Sequence, residues 1–251
     1  MTAREFAGQR EEELMSARQR NSSREAGFSL IELSIAMAVT LGILVVATNL
    51  LSQSFGVRSR EDRQSDALAD VQRALNIMGR EMSNSGFSIP SPLTYTPAGG
   101  GATASVNANG LLLSYCDDDH LAFVSNLSAA TGSDQNVSGA NEAIYYSLET
   151  EAATGNSYLV RVDLNNNNNA MVLANRIDDV EFIYIDKNPT TGALTELAAG
   201  SSPTANTVAV KITVTVDLPA VGSEGSPGHQ PAWQTELESQ VVLRNAIVSS
   251  Y

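Results

Sequence analysis

Glu32 stands where a carboxylate is costly. It is followed by 25 uncharged positions, Leu33 to Val57, most of them apolar. About 20 apolar residues suffice for a helix to cross a bilayer, and a charge at the margin of such a stretch is a functional candidate by default. Around it the chain reads Gly27-Phe28-Ser29-Leu30-Ile31-Glu32-Leu33. A cut between Gly27 and Phe28 would make Glu32 the fifth residue of the new chain. One helical turn, about 6 Å of rise, would then separate its carboxylate from the new amine. Within one molecule the carboxylate suits the positive end of the helix dipole. Between molecules it could neutralise a neighbour's amine inside an apolar bundle.

Other clusters have plainer readings. Asp117-Asp118-Asp119-His120 could ligate a hard cation through carboxylates. Lying between two strand candidates, it reads first as a solvated turn. Asp163-x-Asn165-x-Asn167 starts like a calcium loop, but position 6 is Asn168 rather than Gly and position 12 is Ala174 rather than Glu. The Asn165–Asn169 run therefore reads as a hairpin connection. Cys116 is the single cysteine, so no disulfide can form within the chain, and it reads as a buried strand end. The two histidines, His120 and His229, are too few for a His-rich metal site. The sequence has no Gly-x-Ser-x-Gly elbow, phosphate loop or Gly-x-Gly-x-x-Gly. Neither an enzymatic role nor a cofactor is expected. Asn126 and Asn136 begin glycosylation sequons by pattern only.

The elements that must position Glu32 emerge from the charge map. Of 251 residues, 28 are acidic and 15 basic, giving a formal charge of −13. Residues 1–27 carry five Arg and five Glu, and Arg58 to Met82 five basic and five acidic side chains. Residues 83–251 hold five basic against 17 acidic ones. That excess argues against direct nucleic-acid binding, which needs clustered Lys and Arg. A hydrophobic share of 43% argues against disorder as the default. All eight prolines lie at or beyond Pro90, which permits a long helix upstream. The spacing predicts one helix from Phe28 to about Met82, roughly 80 Å long at ~1.5 Å per residue. In its second half Leu68, Val71, Leu75, Met78 and Met82 form a one-sided stripe. Gly79 and Ser83-Asn84-Ser85-Gly86 mark its end.

Downstream the pattern alternates with period two. Val208, Val210, Ile212, Val214, Val216 and Leu218 define one strand face. Tyr158, Val160, Val162 and Leu164 define another, Val180, Phe182 and Tyr184 a third, and Trp233, Leu237, Val241 and Leu243 a fourth. Leu111–Tyr115, Leu121–Val124 and Ile144–Leu148 are shorter candidates. One polar face per strand implies an antiparallel sheet covered on one side, with the helical stripe as the cover. The expected fold class is α+β: a long N-terminal helix, its apolar half transmembrane, its amphipathic half packed on an antiparallel β-sheet.

The signal of small residue, Phe, hydrophobics and a glutamate at the fifth position after the junction, running into an apolar helix, resembles the N-terminal cleavage and methylation signal of type IV pilins. The resemblance implies that prepilin peptidase cuts between Gly27 and Phe28, that Phe28 is N-methylated, and that Glu32 guides subunit docking. Segments further on are similar to PilW-type minor pilins: Gln72-Arg73-Ala74-Leu75, Gly79-Arg80-Glu81-Met82, Ser85-Gly86-Phe87, Asp178 to Tyr184, and Leu243-Arg244-Asn245. The implied organisation is a leader (1–27), a transmembrane and filament-core helix (28–57), its amphipathic continuation (58–86) and a β-rich pilin-like head (87–251). The implied partners are prepilin peptidase, other major and minor pilins, and the inner-membrane assembly platform. The chain would be anchored in a bacterial inner membrane by a single span, its head outside the cytoplasm, and then displayed on a pilus at the cell surface. A J-type pseudopilin of a type II secretion system, or an anchored enzyme or receptor, are the alternatives.

The chain departs from major pilins in three ways. Asn49 stands near where many carry a kinking proline, the disulfide of the C-terminal loop cannot form, and the leader is long. Met15 offers a second start, leaving a leader with three Arg and one Glu that suits the positive-inside bias better than the neutral full length. Intact-mass measurement of the precursor from peptidase-deficient cells is expected to show Met15 as the first residue, and the presence of residues 1–14 would refute this.

Overall fold

The computed structural model describes residues 28–89, 93–98, 100–127, 137–226 and 229–243. The leader with Met15 and Gly27, and Pro90, Pro92, Asn136 and Arg244, lie outside them. The chain divides into two compact units, Met1–Ser54 and Phe55–Tyr251.

A single helix, α1 (Leu30–Met82), begins in the first unit and ends in the second. Ser29 precedes it, and its hydroxyl accepts a hydrogen bond from the Ile31 amide at 3.4 Å, the geometry of an N-cap. Through Leu51 every described side chain is exposed. In the second unit α1 acquires a buried stripe: Ala67, Val71, Ala74, Leu75, Met78 and Met82. The expected stripe is present with one correction. Leu68 lies at its margin, half-buried, and the inner positions are taken by Ala67 and Ala74. Methyl groups there bring the helix backbone nearer its neighbours than leucine would. Gly79 is interior to α1, and the helix ends at Met82, before the turn of residues 83–88.

Among the described residues ten strands come after it: β1 (Leu93–Tyr95), β2 (Ala104–Val106), β3 (His120–Val124), β4 (Ala143–Thr150), β5 (Ser157–Asp163), β6 (Asn169–Asn175), β7 (Ile177–Lys187), β8 (Leu194–Glu196), β9 (Thr207–Leu218) and β10 (Trp233–Val242). They pair antiparallel into a β1-β2 ribbon, a β3-β4-β5-β6 meander and a β10-β9-β7-β8 sheet. The architecture is α+β with a long apolar N-terminal helix and antiparallel sheets. One core unites the α1 stripe with Phe123, Tyr146, Phe182, Tyr184, Ile212 and Val214 from both larger sheets.

Strand patterning matches the structure where one face is uniformly apolar. In β7 Val180, Phe182 and Tyr184 are buried, and in β9 so are Val210, Ile212, Val214, Val216 and Leu218. In β10 Val241 and the adjacent Leu243 are buried while Glu236 and Glu238 face solvent. Glu236 and Asp179 both pair with Thr215, and Glu238 and Glu181 both with Thr213, so a threonine separates each pair of carboxylates across the sheet. The β5 expectation needs correction. Leu159, Arg161 and Asp163 are buried at least as deeply as the Tyr158-Val160-Val162 set, because the two polar residues find partners inside. The Leu111–Tyr115 candidate is not a strand: Leu111 and Leu112 make isolated bridges, and Leu113–Tyr115 form a 3-10 turn.

Two glycines join the end of α1 to β3. The Gly86 amide donates to the Val124 carbonyl (2.9 Å), and the Val124 amide to the Gly110 carbonyl (2.8 Å). Gly110 has φ +85°, and a Cβ there would collide with the Gly86 backbone nitrogen. Gly110→Ala is expected to lower stability by about 2 kcal/mol or more, from left-handed strain plus backbone collision, read as a shifted urea midpoint of the full chain in detergent.

Candidate functional site

Phe28 is 82% exposed, and Glu32 lies in the first turn of α1. The turn is closed by the Leu33 amide donating to the Ser29 carbonyl at 3.1 Å. The helix begins at Leu30 rather than at the expected Phe28, so Phe28 precedes it by two residues and Glu32 is its third residue. Gly27 lies outside the described residues. Every residue from Leu33 to Phe55 is exposed, a continuous and largely apolar surface. Four of its hydroxyls bond within the helix: Ser34 donates to the Ile31 carbonyl at 2.9 Å, and Thr40, Thr48 and Ser54 donate to the carbonyls of Ala36, Leu44 and Leu50 at 2.7, 2.7 and 2.9 Å. Such back-bonding spares these donors desolvation without a partner in an apolar medium. Among the described residues α1 is the one helix long and apolar enough to cross a membrane. It is compatible with a membrane anchor.

A second constellation, not anticipated from the sequence, ties the end of α1 to the meander. Glu81 accepts from Arg161 Nε at 2.8 Å and from the Tyr146 hydroxyl at 2.5 Å. Arg161 Nη2 donates to Asn141 Oδ1 (2.9 Å), and the Asn141 amide to Asp163 Oδ2 (2.8 Å). Asp163 Oδ1 accepts from the Asn165 amide (3.1 Å), while Asn165 Oδ1 accepts from Tyr95 (2.6 Å). The Tyr146 phenol is held well above its ordinary pKa by burial and by Glu81. Burial works against the Arg161 charge, but hydrogen bonding and attraction to Glu81 outweigh it and raise its pKa. The network fixes geometry and offers no exposed nucleophile. Glu81 sits in a run legible in the sequence; its partner is 80 positions away, and no short-range pattern links them.

The remaining candidates fall into structural roles. Asp117 Oδ1 takes the His120 Nδ1 contact (2.8 Å) and the Asp119 amide (3.0 Å), making a turn before β3. Burial and the nearby Asp118, Asp117 and Asp179 carboxylates push Asp119 upward. Among the described residues no group of three or more His, Cys, Asp or Glu is placed to hold a metal ion. The Asn run forms the β5–β6 turn, with Asn167 and Asn168 left-handed at φ 49° and 54°. Cys116 is buried, its thiol pushed up to about 12 by burial, so it stays protonated and unreactive.

Arg161→Ala would strand a part-buried carboxylate and phenol. A loss of about 2 kcal/mol is expected, discounted from the ~3–5 kcal/mol of a fully buried broken pair because Glu81 is partly exposed. Glu81→Gln, which keeps a hydrogen-bonding group, should cost less. Urea titration of both variants checks the order. No protein-family model, no curated protein and no solved structure matches the chain.

Proposed function

We propose that the chain is a minor type IV pilin, processed by prepilin peptidase and incorporated into, or priming, a pilus. The observation that carries the reading is the Gly27-Phe28…Glu32 signal running directly into an apolar helix whose side chains are exposed through Phe55. The work of such a subunit is assembly. Cleavage before Phe28 frees an amine. Glu32 of one subunit pairs with the amine of its neighbour, because either charge alone would be expensive inside an apolar bundle. Leu33 to Leu51 exchange lipid contacts for helix contacts of similar polarity, so leaving the bilayer is cheap. Phe28 is N-methylated, and the head stays outside the inner membrane and then on the cell surface. The partners are the peptidase, other major and minor pilins, and the inner-membrane assembly platform. The helix-terminal runs, Gly79-Arg80-Glu81-Met82 and Ser85-Gly86-Phe87, support the PilW-like branch and equally its J-type pseudopilin relative, for which deletion would abolish protein secretion and spare pili.

Mass spectrometry of the mature protein tests this directly. The expected N-terminus is N-methylated Phe28, and an intact Gly27–Phe28 bond would defeat the proposal. Glu32→Ala is expected to leave processing unchanged but to reduce filament incorporation at least about tenfold, the equivalent of ~1.4 kcal/mol.

A further inference from the structure

The chain leaves the β3-β4-β5-β6 meander for the β10-β9-β7-β8 sheet through one residue, Arg176, between β6 and β7. Its φ is 60°, a left-handed conformation that Gly, Asn or Asp adopt more readily. Strain kept at a non-glycine residue points to a task for the side chain. Arg161 is paired with Glu81 and Lys211 with Glu196. Arg176, in a chain of formal charge −13, makes no ion pair or hydrogen bond among the described residues.

Arg176 lines a cleft of about 520 Å³ between α1 and the ends of β5 and β6, within the range of small-molecule sites. Ala67 and Ala69 leave the room on the α1 side. A second cleft of about 300 Å³ shares Asn156 and Arg176 with the first. The β5–β6 register slips between Leu159 and Val160, beside the Tyr158–Asn175 pair, and such bulges re-aim side chains next to sites. Asp66, Asn156 and Asn175 line the first cleft with side chains that likewise make no hydrogen bond among the described residues. The Tyr158 hydroxyl turns to Glu151 at 3.4 Å, leaving its ring to the wall.

We propose that this cleft binds a neutral saccharide. Asp66 repels anions and Arg176 repels cations, while Asp70 is already paired with Arg73 at 2.8 Å, so a charged ligand gains little. Sugar hydroxyls donate and accept at once, matching carboxylate acceptors alternating with amide and guanidinium donors. The tyrosine ring offers a flat face for the C–H side of a pyranose, and the adjoining cleft gives room for a second ring.

The test titrates the full chain, held in a detergent without a sugar headgroup, with lactose and with N,N′-diacetylchitobiose. Saturation-transfer NMR and calorimetry report binding. Saturable binding of at least one disaccharide is expected. It should weaken at least tenfold in Arg176→Gly and in Asn156→Ala, whose site is an exposed loop. Arg176→Gly should meanwhile melt no lower than the wild type, since glycine relieves the φ. Three results would each overturn the proposal: no saturable binding of either disaccharide, wild-type binding by Arg176→Gly, or tighter binding of glucosamine or citrate than of the neutral sugars.

Discussion

One helix with two different surfaces constrains everything else in this molecule. The first part of α1 carries apolar side chains all round, and a surface of that kind has no low-energy state in water. The second part carries charges on one side and a narrow stripe of alanine, valine, leucine and methionine on the other. The stripe alone is too small to bury itself, so the downstream strands must close over it. Both larger sheets contribute to the same core as α1, which is why the α+β arrangement results once the helix is granted.

The closure is anchored by polar contacts where α1 ends. Glu81 meets Arg161 and Tyr146, and Gly86 meets Val124. Earlier in the helix, Arg63 donates to the Gln230 side chain. A buried or half-buried charge is costly without partners, so these contacts specify one placement of the helix rather than adding much net stability, and Arg63 Nε stays buried without a partner among the described residues. The acidic excess is handled differently. Glu236, Glu238, Asp179 and Glu181 remain on the solvent side of the β10-β9-β7 surface, spaced by threonines of β9, where water screens them.

Much of this was legible from residue order. The 25 uncharged positions, the 3–4 spacing of Val71, Leu75, Met78 and Met82, and the two-residue alternation of β7, β9 and β10 are local periodicities, and local periodicity reports which face is buried. The pattern misled at β5, where Arg161 and Asp163 looked like a solvent face, and at Leu111–Tyr115, where apolar content implied a strand. In both places a contact distant in sequence decided the outcome: the Glu81 carboxylate for Arg161, and the edges of β2 and β3 for Leu111 and Leu112.

Residue order suffices for the apolar span, the position of Glu32 at its head, the amphipathic switch within α1 and the antiparallel β character of the chain beyond the helix. Each depends only on side chains a few residues apart. Tertiary structure alone decided that Ala67 and Ala74 form the inner line of the stripe and that Arg161 turns inward. It also decided that Arg176 carries the chain between sheets at a positive φ, beside a polar cleft and with no partner among the described residues. Those outcomes depend on which groups meet across tens of residues, and no local spacing encodes that meeting.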